Sequence, residues 1–119
     1  MMDFYCHPTC TTCKKARRWL DEQNIAYRFI NLKETPPSKE SLVQAMEDSD
    51  KPIRQFFNTS GNRYRELNLK DKVPAMGMKE AAGVLAEDGM LLKRPLAVRG
   101  DKVTIGFKEN EYEKVWKNE

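Results

Sequence analysis

The sequence predicts one α/β domain in which a β-α-β half and a β-β-α half form a mixed sheet, with a helical insertion between the halves. A chain of 119 residues is long enough for one hydrophobic core and too short for two. Strand-like segments flank a long middle region with helical periodicity. A helical segment also separates the first two predicted strands, and this connection makes neighbouring strands parallel.

The first half is predicted as strand, helix, strand. Residues 2–5 form a short strand that Pro8 ends. From Thr11 onward, apolar residues recur every three or four positions while basic residues face away, as in an amphipathic helix. Asn24 is suited to end this helix in a left-handed conformation. Residues 26–30 form the second strand.

Residues 35 to about 89 are predicted to leave the sheet as the helical insertion. A turn ends in Ser38 as an N-cap, and the helix that follows ends near residue 48. A short helix is expected from Lys51, a loop over residues 58–62, and another helix over residues 78–85. Gly89 is placed to end that last helix.

The second half is predicted to return to the sheet at residue 93. Residues 96–98 form a strand, residues 99–102 a tight turn, and residues 103, 105 and 107 share one face of the next strand. Asn110 and Glu113 have the spacing of a capping box, and the final helix directs Tyr112, Val115 and Trp116 to the core. We therefore expect residues 1–119 to form a single domain.

The composition excludes several classes of function. The formal net charge is only +3, with both signs interleaved, so we expect no direct nucleic-acid partner. No apolar run approaches the roughly 20 residues that cross a bilayer, so we expect no membrane partner. The first residues lack the features of a secretory signal, so the expected location is cytoplasmic. A local basic cluster follows the cysteines and is either a solvated helix face or a functional positive field; its members are Lys14, Lys15, Arg17 and Arg18.

All three cysteines lie close together, at positions 6, 10 and 13. An odd number of cysteines in a cytosolic setting is not a disulfide framework. They form a redox site, hold a metal ion, or are small buried apolar residues. With His7 they supply four candidate zinc ligands, but no second pair of ligands completes a typical structural zinc site. We therefore favour the redox interpretation and expect no metal.

The redox interpretation centres on the CxxC segment from Cys10 to Cys13. Cys10 is predicted at the start of the first helix, where unpaired N–H groups and the helix dipole favour a thiolate over a thiol. Only the thiolate is nucleophilic. Thr11 and Thr12 add hydroxyl donors, and Lys14 adds positive charge. Cys13, farther inside the helix, is expected to resolve a mixed disulfide at Cys10, whereas a packed, inert thiol is expected at position 6.

Pro95 immediately precedes a predicted strand, so the residue before it is held extended. In a β-α-β/β-β-α arrangement such a proline usually has a cis peptide bond and lies against the CxxC segment. Arg94 would then lie beside Cys10 and offer a planar, permanently charged donor group to an anion. The alternative is a proline that simply begins an edge strand.

These motifs together resemble the ArsC/Spx family. They run in order through nearly the whole chain: residues 7–16 (HPTCTTCKKA), 57–59 (FNT), 64–68 (YRELN), 93–96 (KRPL) and 105–107 (IGF). The resemblance implies a thioredoxin-like fold with a helical insert. It also implies a redox-active cysteine at position 10 and no tightly bound cofactor.

The resemblance implies two alternative functions. One branch comprises arsenate reductases that use glutathione or glutaredoxin as reductant, in which one cysteine attacks arsenate held by three arginines. Cys10 and Arg94 match that branch, but Ser60-Gly61 and Gly106-Phe107 stand where the other two arginines are expected. We therefore expect weaker oxyanion binding. The other branch comprises Spx-type regulators, which bind RNA polymerase, and its α subunit is the partner to test. In that branch Cys10 and Cys13 match a redox switch.

Overall fold

A four-stranded mixed sheet organises the computed structural model, which describes residues 1–117. The strand order is β2-β1-β3-β4, with β1 parallel to β2 and the other neighbours antiparallel. The strand bounds are Met2–Cys6 for β1, Tyr27–Asn31 for β2, Leu96–Arg99 for β3 and Lys102–Ile105 for β4. The predicted α/β mixed sheet is thus confirmed. Residues 118 and 119 of the expected single domain lie outside the described residues.

The predicted helices occur in the predicted order, with the insertion between β2 and β3, and two further short helices that were not predicted lie within residues 62–72. The α-helices are α1 Thr11–Glu22, α2 Lys39–Ser49, α3 Asn62–Glu66, α4 Leu69–Lys72, α5 Met78–Glu87 and α6 Glu109–Tyr112. Short 3₁₀ turns occupy Ile53–Phe56, Val73–Ala75 and Gly89–Leu91, and a π turn follows α6 over Glu113–Lys117. No helix within residues 1–117 is long and apolar enough to cross a membrane.

The sheet lies between two layers because its side chains alternate between its faces. On β1, Met2, Phe4 and Cys6 are fully buried in the cluster that α1 and the C-terminal turns cover. On β4, Val103 and Ile105 point to the opposite face and pack with the helices of the insertion. The insertion is therefore a layer of the core.

Two predicted helix boundaries are confirmed at the level of single residues. Asn24 has a φ of 58° just beyond α1, in the left-handed region that ends helices. Ser38 caps α2, because its hydroxyl oxygen accepts a hydrogen bond from the Ser41 N–H at 3.1 Å.

Three other local predictions are wrong. The capping box fails because α6 begins at Glu109, and the Asn110 side chain accepts from the N–H of residue 111 instead. Phe107 does not continue the alternation of β4, because Gly106 has a φ of 77° and the strand ends at residue 105. Gly89 does not end α5: it opens a 3₁₀ turn in which a Cβ atom would overlap the carbonyl oxygen of Leu32.

Candidate active site

Cys10 lies where the connection after β1 becomes helix α1. It is the N-cap residue of α1, with extended φ and ψ of −76° and 121°, and its carbonyl accepts the N–H of Lys14 at 3.1 Å. The first turn of α1 has no acidic residue, and the Cys10 side chain makes no capping hydrogen bond. The thiol is half-buried and free. A sulfur at this position is accessible and lies in the positive field of the helix start.

The cysteine pairing differs from the predicted one. The disulfide joins Cys6 to Cys13, with their Cα atoms 6.1 Å apart, and leaves Cys10 as the free thiol. The reason lies in the two periodicities: β1 directs Cys6 toward α1, and the inner face of α1 directs Cys13 toward the sheet. Both are almost completely buried, as expected for residue 6, but residue 6 is bonded and not a packed thiol.

A cleft of about 450 Å³ opens beside Cys10. It is formed by the start of α1, a loop of the insertion, the segment before β3 and the segment after β4. Three of the residues that line the cleft carry a positive charge: Lys93, Arg94 and Lys108. No Asp or Glu side chain is among the described residues that line the cleft. The cleft therefore favours an anionic ligand next to the free thiol.

Arg94 occupies the position predicted for it. The Arg94–Pro95 peptide bond is cis, as expected, and Arg94 shares the cleft with Cys10. Its guanidinium is half-buried and donates a hydrogen bond to Sδ of Met90 at 3.5 Å. Met90 in turn is held by the 3₁₀ turn, where its N–H donates to the Asp88 carboxylate at 3.0 Å. The turn that begins at Gly89 thus positions the arginine.

The segment before β3 is also hydrogen-bonded to the insertion. Phe57 and Leu92 form an isolated antiparallel bridge. On either side of it, the Lys93 N–H donates to the Phe56 carbonyl at 2.9 Å, and the Asn58 N–H donates to the Leu91 carbonyl at 2.7 Å. This pairing brings the polar loop that begins at Asn58 and the cationic segment to the same cleft.

Lys93 is a residue of this site that the sequence analysis did not identify. A Cβ atom built on Gly106 would lie 3.1 Å from Cε and 3.8 Å from Nζ of Lys93. The lysine therefore fills the space that a side chain at position 106 would need. Where the resemblance leads one to expect an arginine, a lysine from the neighbouring segment supplies the positive charge. Only the positive φ of Gly106 and a contact distant in sequence reveal it.

The other predicted anion-binding residues divide into two groups. Thr12 lines the cleft, whereas Thr11 is exposed but is not among the described residues that line it. Lys14 is also outside the cleft and borders a shallow hollow on the outer surface of α1. Of the basic cluster, Arg17 is used structurally: it lies 4.7 Å from the ring centre of Phe29 and donates to the Tyr27 hydroxyl.

His7 shapes the connection that leads to Cys10. The N–H of Thr9 donates to its Nδ1 at 3.3 Å, and the Thr9 hydroxyl lies 2.8 Å from the same nitrogen. The histidine thus orders the loop that leads to Cys10. Within residues 1–117, no three His, Cys, Asp or Glu side chains are grouped so as to hold a metal ion.

A row of aromatic rings connects the cleft to the core. Phe107 lines the cleft and packs edge-to-face on Tyr112, with ring centres 4.8 Å apart. Tyr112 packs edge-to-face on Trp19 at 5.6 Å, and its hydroxyl donates to the Gly106 carbonyl at 3.2 Å. Burial raises the pKa of Tyr112 far above its ordinary value, with a smaller opposing effect from Thr104. The neutral phenol of Tyr112 therefore holds the segment of Gly106 and Phe107, which forms one wall of the cleft.

A second cleft of about 390 Å³ adjoins the first and shares Lys93 with it. Its other cations are Arg54 and Lys70, and Phe57 and Tyr64 supply aromatic surface. No carboxylate is among the described residues that line it. The positive charge beside Cys10 therefore extends over the surface of the insertion, along which a longer anionic ligand can be held.

Comparisons with known proteins agree on one family. A model described as the ArsC family matches residues 5–115. The chain is 50% identical over 115 residues to the uncharacterized protein YusI of Bacillus subtilis (strain 168), which covers 97% of this chain and 98% of that protein. It is 24% identical over 111 residues to the global transcriptional regulator Spx of Streptococcus mutans, covering 93% of this chain and 80% of the regulator.

Solved structures give the same result for the fold. A possible arsenate reductase from Streptococcus mutans UA159 superposes with a TM-score of 0.88 at 40% identity, covering 95% of this chain and 98% of that one. An ArsC family related protein from Bacteroides fragilis gives a TM-score of 0.91 at 42% identity, with 96% of both chains covered. The thioredoxin-like fold with a helical insert is thus confirmed.

Proposed function

Because this chain belongs to the ArsC family, we propose that it is a thiol oxidoreductase in which Cys10 attacks an anionic, oxidised substrate. One observation carries the proposal: the free thiol lies at the N-cap of α1 in a cleft with three cations and no lining carboxylate among the described residues. The positive field at the helix start and the cations of the cleft favour a negatively charged partner, and the thiolate form of a cysteine is its nucleophilic form. The expected location remains the cytoplasm, where low-molecular-weight thiols are available.

The proposed reaction begins with attack of the Cys10 thiolate on one sulfur of a substrate disulfide. A new S–S bond forms at Cys10, the substrate S–S bond breaks, and one substrate thiolate leaves. A second thiol then attacks the mixed disulfide and releases the other half of the substrate. Cys13 takes this role when it is reduced; when it is bonded to Cys6, an external thiol such as glutathione or a glutaredoxin is required.

Arsenate is expected to be a poor substrate. Of the three arginines that the resemblance leads one to expect, only Arg94 is present, and Ser60 and Gly106 line the cleft in place of the others. Lys93 and Lys108 supply charge, but a lysine cannot offer the planar, bidentate donor group of an arginine. Charge-assisted hydrogen bonds are each worth ~1.5–3 kcal/mol, so losing two should lower arsenate affinity by orders of magnitude.

The proposal is tested by trapping the mixed disulfide. Reduced Cys13→Ser protein is incubated with glutathione disulfide, denatured in acid and analysed by mass spectrometry. One glutathione is expected on Cys10, and none on the Cys10→Ser protein. Attachment at Cys6, or no attachment to the Cys13→Ser protein, would contradict the assignment of the nucleophile.

A second candidate function is a redox-controlled regulator of transcription. The observation that favours it is the similarity to Spx over 93% of this chain together with the CxxC segment. We propose for this case that oxidation of the cysteines alters a surface that binds the α subunit of RNA polymerase.

Binding measurements separate the two candidates. Calorimetry with purified polymerase α subunit, performed on the reduced and the oxidised protein, is expected to show redox-dependent binding if the regulator proposal holds. A steady-state assay with glutathione, glutaredoxin and either arsenate or a disulfide substrate tests the enzyme. Polymerase binding without turnover would exclude the oxidoreductase, and turnover without binding would exclude the regulator.

A further inference from the structure

We propose that Cys6 is the last thiol of a three-cysteine relay, in which oxidation enters at Cys10 and ends as the buried Cys6–Cys13 disulfide. This inference rests on the proposed attack by Cys10. It assigns a redox role to a strand residue outside the CxxC segment.

The burial of the three cysteines supports the direction of the relay. Cys6 and Cys13 are 0% and 1% exposed, so a dissolved oxidant has almost no access to either sulfur. Cys10 is half-buried, opens onto the cleft, and packs against the same apolar cluster that contains the other two. Among the described cysteines, Cys10 is therefore the one through which a dissolved oxidant can oxidise the buried pair.

The geometry also makes Cys13 the common partner. It lies three residues after Cys10, one helical turn along, where residues are neighbours on the helix surface. From the other side, the end of β1 brings Cys6 within disulfide distance of it, as the bond between them shows. Cys13 can therefore form a bond to either neighbour, and the burial of the Cys6–Cys13 bond protects it from external thiols.

The relay consists of three exchange steps that balance. The Cys10 thiolate attacks a small disulfide, forms a mixed disulfide and releases one thiolate. Cys13 attacks the Cys10 sulfur, forms a Cys10–Cys13 bond and releases the second thiolate. Cys6 then attacks the Cys13 sulfur, forms the Cys6–Cys13 bond and expels Cys10 as a thiolate. The small disulfide is reduced to two thiols, Cys6 and Cys13 are oxidised, and their two protons pass to the released thiols.

The relay explains why Cys10 is the free thiol in the oxidised protein. The accessible thiolate is regenerated, while the disulfide is stored away from solvent. Reduction must then proceed in reverse through Cys10, because that residue is the accessible member of the set.

Differential alkylation tests the relay directly. Reduced wild-type protein is mixed with glutathione disulfide, quenched in acid at timed intervals, alkylated in guanidinium, then reduced and labelled with a second alkylating reagent. Trypsin leaves all three cysteines in one peptide, residues 1–14, so fragmentation must locate each label. The expected end state has the first label on Cys10 and the second on Cys6 and Cys13.

Variants give the order of the steps. Cys6→Ser protein should stop at the Cys10–Cys13 disulfide, and Cys6→Ala serves as a second variant if the serine impairs folding. Cys10→Ser protein should form the Cys6–Cys13 bond at least tenfold more slowly than wild type. A wild-type end state with Cys10 bonded to Cys13, or equal rates for wild type and Cys10→Ser, would overturn the relay.

Failure of the relay can be distinguished from failure of the proposed function. If Cys13→Ser protein traps glutathione on Cys10 but wild type does not proceed to the buried bond, only the relay is wrong. If Cys10 captures no glutathione at all, the proposed function itself fails.

Discussion

The position of the Lys93 side chain in the site depends on the backbone of another segment, at Gly106. Cys10 and Arg94 were predictable because each belongs to a short motif, a CxxC at a helix start and an arginine before a proline. Lys93 belongs to the same KRPL segment, but no motif there predicts that its side chain lines the cleft. Its place in the cleft depends on the space beside Gly106, a contact between segments that only folding brings together.

The residue-scale prediction concerns the charge of Lys93. We expect Lys93→Gln to slow the reaction of Cys10 with glutathione disulfide about fivefold at low salt, because one favourable charge interaction of about 1 kcal/mol is lost. The reaction with an uncharged disulfide should be unchanged. Stopped-flow rates over a range of salt concentrations measure the effect.

Lys15→Gln is the matched control for this measurement. Lys15 has the same charge and is exposed on α1, but it does not line the cleft. Equal slowing by the two variants would show that the net charge of the protein, and not the cleft, attracts the anion.

At the scale of elements, the strands, the longer helices and the presence of the final helix were predictable, whereas α3 and α4 were not. Helix α1 has an unbroken apolar periodicity, whereas α3 and α4 have five and four residues and cannot be stable alone. They are held by tertiary contacts, in which Tyr64 and Leu69 are buried in the insertion core. A pattern that spans one turn carries too little information to predict such helices.

Two glycines near the end of the insertion give a matched pair of predictions. We expect Gly89→Ala to destabilise the protein by about 2–3 kcal/mol, because its Cβ atom would overlap the backbone of Leu32. Gly83 lies inside α5, where a Cβ atom would meet only the Lys39 side chain at 3.9 Å. Gly83→Ala should therefore stabilise by about 0.5–1 kcal/mol.

Urea unfolding of both glycine variants measures these changes. Gly89→Ala should also slow the reaction of Cys10 with anionic disulfides, because the 3₁₀ turn that begins at residue 89 holds Met90 against Arg94. A stability equal to that of wild type would show that the backbone at residue 32 can move aside.

On the scale of the whole molecule, the packing of a sheet between two layers decides which cysteines meet. The spacing in the sequence favours a pair within the CxxC segment. In the folded protein, the end of β1 instead lies against the inner surface of α1, so that Cys6 is bonded to Cys13. Spacing along one helix is readable from a sequence, but the register of that helix on a strand depends on the entire core.

The stability of the whole fold should depend on pH through Tyr112. Burial raises the pKa of its phenol in the folded state, so the folded protein retains the proton that the unfolded chain loses near pH 10. The contribution to the unfolding free energy is complete below pH 10 and is lost progressively as the pH rises above it. Urea titrations from pH 8 to 10.5 measure this decline.

Tyr112→Phe is the comparison for the pH dependence. It should be less stable at pH 8 by about 1 kcal/mol, because the hydrogen bond to the Gly106 carbonyl is lost. Its stability should then decline less steeply above pH 10 than that of wild type. Parallel curves for the two proteins would mean that other groups cause the alkaline loss.

The row of rings from Phe107 through Tyr112 to Trp19 has a practical consequence. Trp19 is one of two tryptophans in the chain, and its indole is almost completely buried at the end of this row. A molecule that enters the cleft and presses on Phe107 should therefore change the fluorescence of Trp19. With Trp116 replaced by phenylalanine, that emission becomes an internal optical reporter of occupancy, and no attached dye is needed.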